Sequence, residues 1–137
     1  MSQQEKVMFE VEEIDNNHKL FYRIHLVNID TEIEDSKLKI KPSAFDPQPK
    51  PHSVEMSVNW EKYSTASDTK NSARKPEKNG VLSFITNDVR NIPVNLKVSH
   101  KPTANQAHSI IHDVVSEQND PEIRMNLRSI SNWEIEI

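Results

Sequence analysis

The chain has 137 residues, a net charge of -4 with histidine neutral, one glycine and no cysteine. A single domain of this length buries roughly two thirds of the surface its unfolded chain exposes. The lack of cysteine excludes a disulfide framework, a thiolate metal site and a cysteine nucleophile. With Gly80 as its only glycine, the chain cannot build a glycine-rich phosphate loop or a dinucleotide fingerprint, both of which need several close backbone approaches.

Hydrophobic residues make up 34% of the sequence, but they cluster instead of being diluted. That pattern predicts one folded domain over residues 1–137 with a modest core and polar loops near 42–53 and 64–79. No apolar run approaches the length of a membrane span. The first residues lack the basic-then-apolar layout of a signal peptide. The expectation is a small soluble cytoplasmic protein that does not engage a membrane. The mild acidity argues against nucleic acid as a partner.

In chain order, residues 7–13 place Val7, Phe9 and Val11 in alternation with Met8, Glu10 and Glu12, which predicts a strand. Asp15 to His18 reads as a turn. Residues 20–29 alternate again, with Leu20, Tyr22, Ile24 and Leu26 on one face, and are expected to pair with the first segment as a hairpin. Residues 31–35 form an acidic turn. Residues 37–41 alternate Lys with Leu38 and Ile40, as in an edge strand that uses lysine to repel other edges. Four prolines, at positions 42, 47, 49 and 51, make the next stretch an extended loop.

Residues 53–60 alternate Val54, Met56 and Val58 with Glu55, Ser57 and Asn59, giving another strand, closed by Trp60 and Tyr63. Residues 64–79 carry almost no large apolar side chain and read as a loop, with at most a helical turn near 69–74. Asn79-Gly80 is a turn signal. Strands are predicted at 81–86 and 93–99, with a turn at 87–91 between them.

Thr103 and Gln106 have the spacing of a capping box, and Ala107, Ile110, Ile111, Val114 and Val115 recur at helical spacing. A helix is therefore expected over 104–117. Asp120 and Pro121 then open a second helix with Ile123, Leu127 and Ile130 as its apolar stripe. Residues 133–137 form a last strand. The fold class expected is α+β: a mostly antiparallel sheet of short strands with two C-terminal helices packed on one face.

Two groups of residues carry possible chemistry. On the expected helix His108 and His112 lie one turn apart, a spacing that brings two imidazoles to one metal ion, with His100 just upstream as a third candidate. Ser109 stands where a zinc protease has its general base. Arg23, His25 and Arg90, with His100 beside them, are candidates for an anion site, since arginine offers a planar fork to phosphate or carboxylate. No serine lies on a glycine-flanked elbow, and the acidic pairs fall in surface segments. The expected function is a non-catalytic interaction module that binds another protein. The alternative is a metal- or phosphate-handling enzyme that uses the His and Arg cluster. No particular cofactor is implied.

Overall fold

The computed structural model describes residues 9–34, 37–45, 55–92, 96–103, 105–112 and 121–137. Its strands are β1 (Lys19–His25), β2 (Ile29–Glu34), β3 (Lys37–Ile40), β4 (Met56–Trp60), β5 (Asn79–Ile85), β6 (Lys97–His100), β7 (His108–His112) and β8 (Asn132–Ile135). Its helices are α1 (Ala66–Asn71), α2 (Thr86–Arg90) and α3 (Pro121–Ile130). Six strands form one sheet in the order β6-β7-β4-β1-β5-β8, and β2 and β3 form a separate hairpin. Every pairing is antiparallel. The expected α+β class and antiparallel sheet are therefore present.

Side-chain alternation gives this sheet two unlike faces. Leu20 and Ile24 of β1, Met56, Val58 and Trp60 of β4, and Leu82 and Phe84 of β5 are buried on one of them. The register Leu20↔Trp60, Leu20↔Phe84 and Met56↔Ile111 keeps these apolar residues together across the strands. Ile123 and Leu127 of α3, Val89 of α2, Phe45 and Ile14 close over them in one apolar cluster. Phe45 meets Phe84 edge-on at 6.2 Å and lies near-parallel to Tyr22 at 6.1 Å. The Tyr22 hydroxyl donates to the Ala44 carbonyl, so the ring packs without stranding its polar end.

Several expected elements take another form. The helix expected over 104–117 is absent from 105–112. Those residues make a turn and then strand β7, paired to β4 on one side and β6 on the other. Ser109, Ile110 and Ile111 are buried in succession, and a short, doubly covered run of β-branched residues cannot be told from a helix stripe by spacing alone. Residues 113–117 of that expected helix, and the Asp120 cap of the next, lie outside the described residues. Of the two C-terminal helices expected, α3 is present among the described residues. Its expected face is realised, with Ile123 and Leu127 buried and Ile130 packed against the core.

The strand expected over 7–13 is not formed at 9–13, where Phe9 and Val11 are exposed. That segment runs instead as a strap over the end of the sheet, and β1 pairs with β4 and β5 rather than with it. The turn expected at Asn79-Gly80 lies one step earlier, at Pro76–Lys78. Lys70 draws that turn in by donating to the Pro76 and Asn79 carbonyls. Gly80 is already in β5, opposite Ile24. A Cβ there would sit 2.6 Å from the Ile135 carbonyl and 2.9 Å from the Trp133 ring, so the chain's one glycine lets β8 come close. The turn expected at 87–91 is the short helix α2. No helix among the described residues is long and apolar enough to cross a membrane.

Candidate anion-binding cleft on the open face of the sheet

On its other face the sheet carries Phe21 and Arg23 of β1, Ser57 and Asn59 of β4, and His108 of β7. The pairs Phe21↔Asn59 and Asn59↔His108 fix them on that side. Helix α1 lies over β1 and β5, and Ser57 is exposed on the β4 side of it. The helix is short because Thr65 caps its start, accepting from the Asp68 amide at 3.0 Å, and Ser72 ends it. Between α1 and the turn at 105–107 lies a cleft of about 370 Å³. Phe21 and the β4 backbone are among its lining, with Arg23, Ser57, Asn59, Thr69, Ser72, Asn105 and His108 supplying polar groups.

Hydrogen bonds hold these groups in place. Arg23 Nη1 donates to Ser72 Oγ at 2.9 Å. Asn59 Nδ2 donates to Thr69 Oγ1 at 3.2 Å, and Asn105 Nδ2 donates to Asn59 Oδ1 at 3.1 Å. Asn105 also accepts from the Ala107 amide at 2.9 Å, and this local turn replaces the expected capping box. His108 Nδ1 lies 2.9 Å from the Lys101 carbonyl and Nε2 lies 3.2 Å from Ser57 Oγ. A carbonyl only accepts, so Nδ1 carries a proton, and in the neutral ring Nε2 then accepts from the serine. Among the described residues Arg23 is bonded to a neutral hydroxyl and forms no ion pair with a carboxylate. A guanidinium in this state offers its remaining donors to an incoming anion.

Of the expected anion-site residues, Arg23 lines this cleft and the others lie elsewhere. His25 accepts from the Val27 amide at 3.0 Å and caps the turn Leu26–Asn28. Arg90, at the end of α2, donates to the Ile14 carbonyl at 2.9 Å and to Asn16 Oδ1 at 2.6 Å, fastening the N-terminal strap. The three histidines considered for a metal do not converge. His100 pairs with Ser109, so its side chain points to the covered face, opposite His108. His108 and His112 share a face, but four residues of extended strand separate them by about 13 Å instead of one helical turn. Among the described residues no group of three or more His, Asp or Glu side chains is placed to hold a metal ion.

His100 belongs to a second cluster under the strap. Its Nδ1 accepts from the Glu12 amide at 3.0 Å, so Nε2 donates to the Gln106 carbonyl at 2.7 Å. The ring meets Trp60 edge-on at 5.0 Å and stacks with Tyr63 at 6.1 Å. Trp60 Nε1 donates to His18 at 2.9 Å. The Glu12 carboxylate accepts from both Lys62 and Tyr63. Those two bonds, Lys62 first, hold its carboxyl below the usual range. The same contact with Glu12 raises Lys62 and Tyr63 above their ordinary values. Glu12 thus fastens the strap through both its amide and its carboxylate.

Ser57, Asn59, Thr69, Ser72 and Asn105 were not singled out by the sequence. The alternation at 53–60 did put Ser57 and Asn59 on the polar side of β4. That signal becomes informative only once Arg23 and His108 are known to share the face. Comparison of the chain with protein-family models, with curated proteins and with solved structures finds no match.

Proposed function

We propose that this protein is an interaction module that docks another protein on the open face of the sheet and seats one of the partner's carboxylates in the Arg23 cleft. The observation that carries the proposal is the Arg23 guanidinium, held in a concave site by Ser72 and without an internal carboxylate among the described residues. A planar monoanion matches one guanidinium fork. The Asn59 and Asn105 carboxamides beside it both donate and accept, as the backbone of a docked peptide requires. A cytoplasmic place of action is part of the proposal, and recovery of the protein in the secreted or membrane fraction of its host would count against it.

Calorimetric titration with a short acidic peptide tests the docking. Binding is expected to weaken about tenfold or more in Arg23→Gln, the loss expected for a charge-assisted hydrogen bond, and to weaken similarly when the peptide's carboxylates are amidated. Equal affinity for the acidic and amidated peptides would remove the proposal. Inorganic phosphate is the control for the phosphate-handling alternative: saturable binding that outcompetes the peptide would favour that reading instead.

A further inference from the structure

We infer that Ser57 is a nucleophile activated by His108, and that the cleft performs acyl transfer from small esters whose acyl part bears a carboxylate. The inference goes beyond docking, but it rests on the same cleft being where a ligand sits. Activation of a serine needs a base in hydrogen-bond reach and a third group that fixes the base's tautomer. Both are present. The Lys101 carbonyl, 2.9 Å from Nδ1, fixes the proton there and leaves the Nε2 lone pair facing Ser57 Oγ at 3.2 Å.

The pair is mounted on sheet, not on a mobile loop. Ser57 lies opposite Ile110 and Asn59 opposite His108, so Ser57 and His108 are diagonal neighbours on adjacent strands. Ser57 is exposed on that face, so a substrate reaches its hydroxyl from solvent without the sharp glycine-flanked elbow that some serine nucleophiles use. Asn59 and Asn105 each use one amide hydrogen within the cleft. A carboxamide has two, and the second can donate to a developing oxyanion. Arg23 holds the substrate carboxylate.

The step balances without a redox partner. Ser57 Oγ bonds to the ester carbonyl carbon while its proton passes to His108 Nε2. The carbon–oxygen bond to the alcohol breaks, and His108 returns the proton to the departing oxygen. Water, deprotonated by His108, then attacks the acyl-serine. The free acid leaves, and Ser57 regains its proton.

The test is labelling of the intact protein with an uncharged fluorophosphonate, read by mass spectrometry and peptide mapping. One adduct on Ser57 is expected, about 100-fold slower in His108→Gln, the usual contribution of a positioned base, and absent from protein unfolded in guanidinium. No adduct on Ser57 in the folded protein would overturn the inference, as would labelling at an equal rate in His108→Gln or in the unfolded chain. Because the probe carries no charge, it reports on Ser57 whether or not an acidic peptide docks, so the two proposals fail separately. The substrate class is read from p-nitrophenyl hemisuccinate against p-nitrophenyl acetate. With the hemisuccinate's own intramolecular hydrolysis subtracted, turnover at least tenfold faster for the hemisuccinate is expected, and this preference is expected to vanish in Arg23→Gln. Equal turnover of the two esters, or a preference unchanged in Arg23→Gln, would overturn that assignment.

Discussion

On one face of the six-stranded sheet, Trp60, Phe84, Leu20 and Met56 are shut away from water by α3, α2 and the Phe45 turn. One residue further along the same strands, Phe21 lines a cleft that Ser57, Asn59 and Arg23 also line. The faces differ in how their energy is held. Burial of large apolar side chains on the covered face stabilises the domain by about 1.5–3 kcal/mol for each residue. Hydrogen bonds between exposed polar groups on the open face contribute little net stability, because water makes equivalent bonds in the unfolded chain. If the proposed docking is right, stability and recognition lie on opposite sides of one sheet, and a substitution should affect one without the other.

The largest effect is expected at Trp60. Trp60→Ala removes the centre of the covered cluster together with the His18 bond and should cost about 3–5 kcal/mol by denaturant titration. A loss below about 1 kcal/mol would mean that this face is not packed as described. Next comes Gly80→Ala, whose new methyl would collide with the Ile135 backbone. Displacing β8 to make room should cost about 1–3 kcal/mol, the scale of overpacking. A neutral result would show that β8 is not held against β5 at that point.

The strap gives a pH-dependent effect. Because the Glu12 carboxyl is lowered in the folded state from 4.5, the unfolded chain binds more protons between the two values. The Glu12 contribution is therefore complete above 4.5 and is lost as pH falls through the folded value. Lys62 and Tyr63 are raised, so their contributions are complete below 10.5 and 10.0 and are lost on the alkaline side. Denaturation midpoints measured from about pH 3 to 7 should show a shallower acid limb in Glu12→Gln than in the native sequence; superimposable limbs would contradict the latch. The smallest effect on stability is expected at Arg23→Gln, within about 0.5 kcal/mol, even though the same change should weaken peptide binding. A large loss of stability there would make Arg23 a structural residue instead.

Sequence patterning resolved the covered face better than the open one. The alternation of Met56 and Val58 and the stripe of Ile123 and Leu127 are local consequences of apolar burial, and each appears in its expected element. The run around Ile110 and Ile111 was ambiguous because spacing fits both a helix stripe and a doubly covered strand. Only the pairing of β7 between β4 and β6 decides it, and that is a long-range fact. The strand expected around Phe9 failed for a related reason: β1 has both its edges occupied by β4 and β5. Arg23 was expected to share a site with His25 and Arg90, which lie elsewhere. Its companions Ser57, Asn59 and Asn105 are small polar residues that carry no signal until strand order and register bring them to one cleft.

The division of labour between the two faces is tested most directly by mapping chemical shifts across the labelled protein as an acidic peptide is added. The account predicts saturable changes centred on Arg23, Asn59, Asn105 and His108, with Trp60, Phe84 and Leu127 unmoved. Changes centred on the covered cluster or confined to the β6 and β8 edges, or no changes up to millimolar peptide, would contradict it.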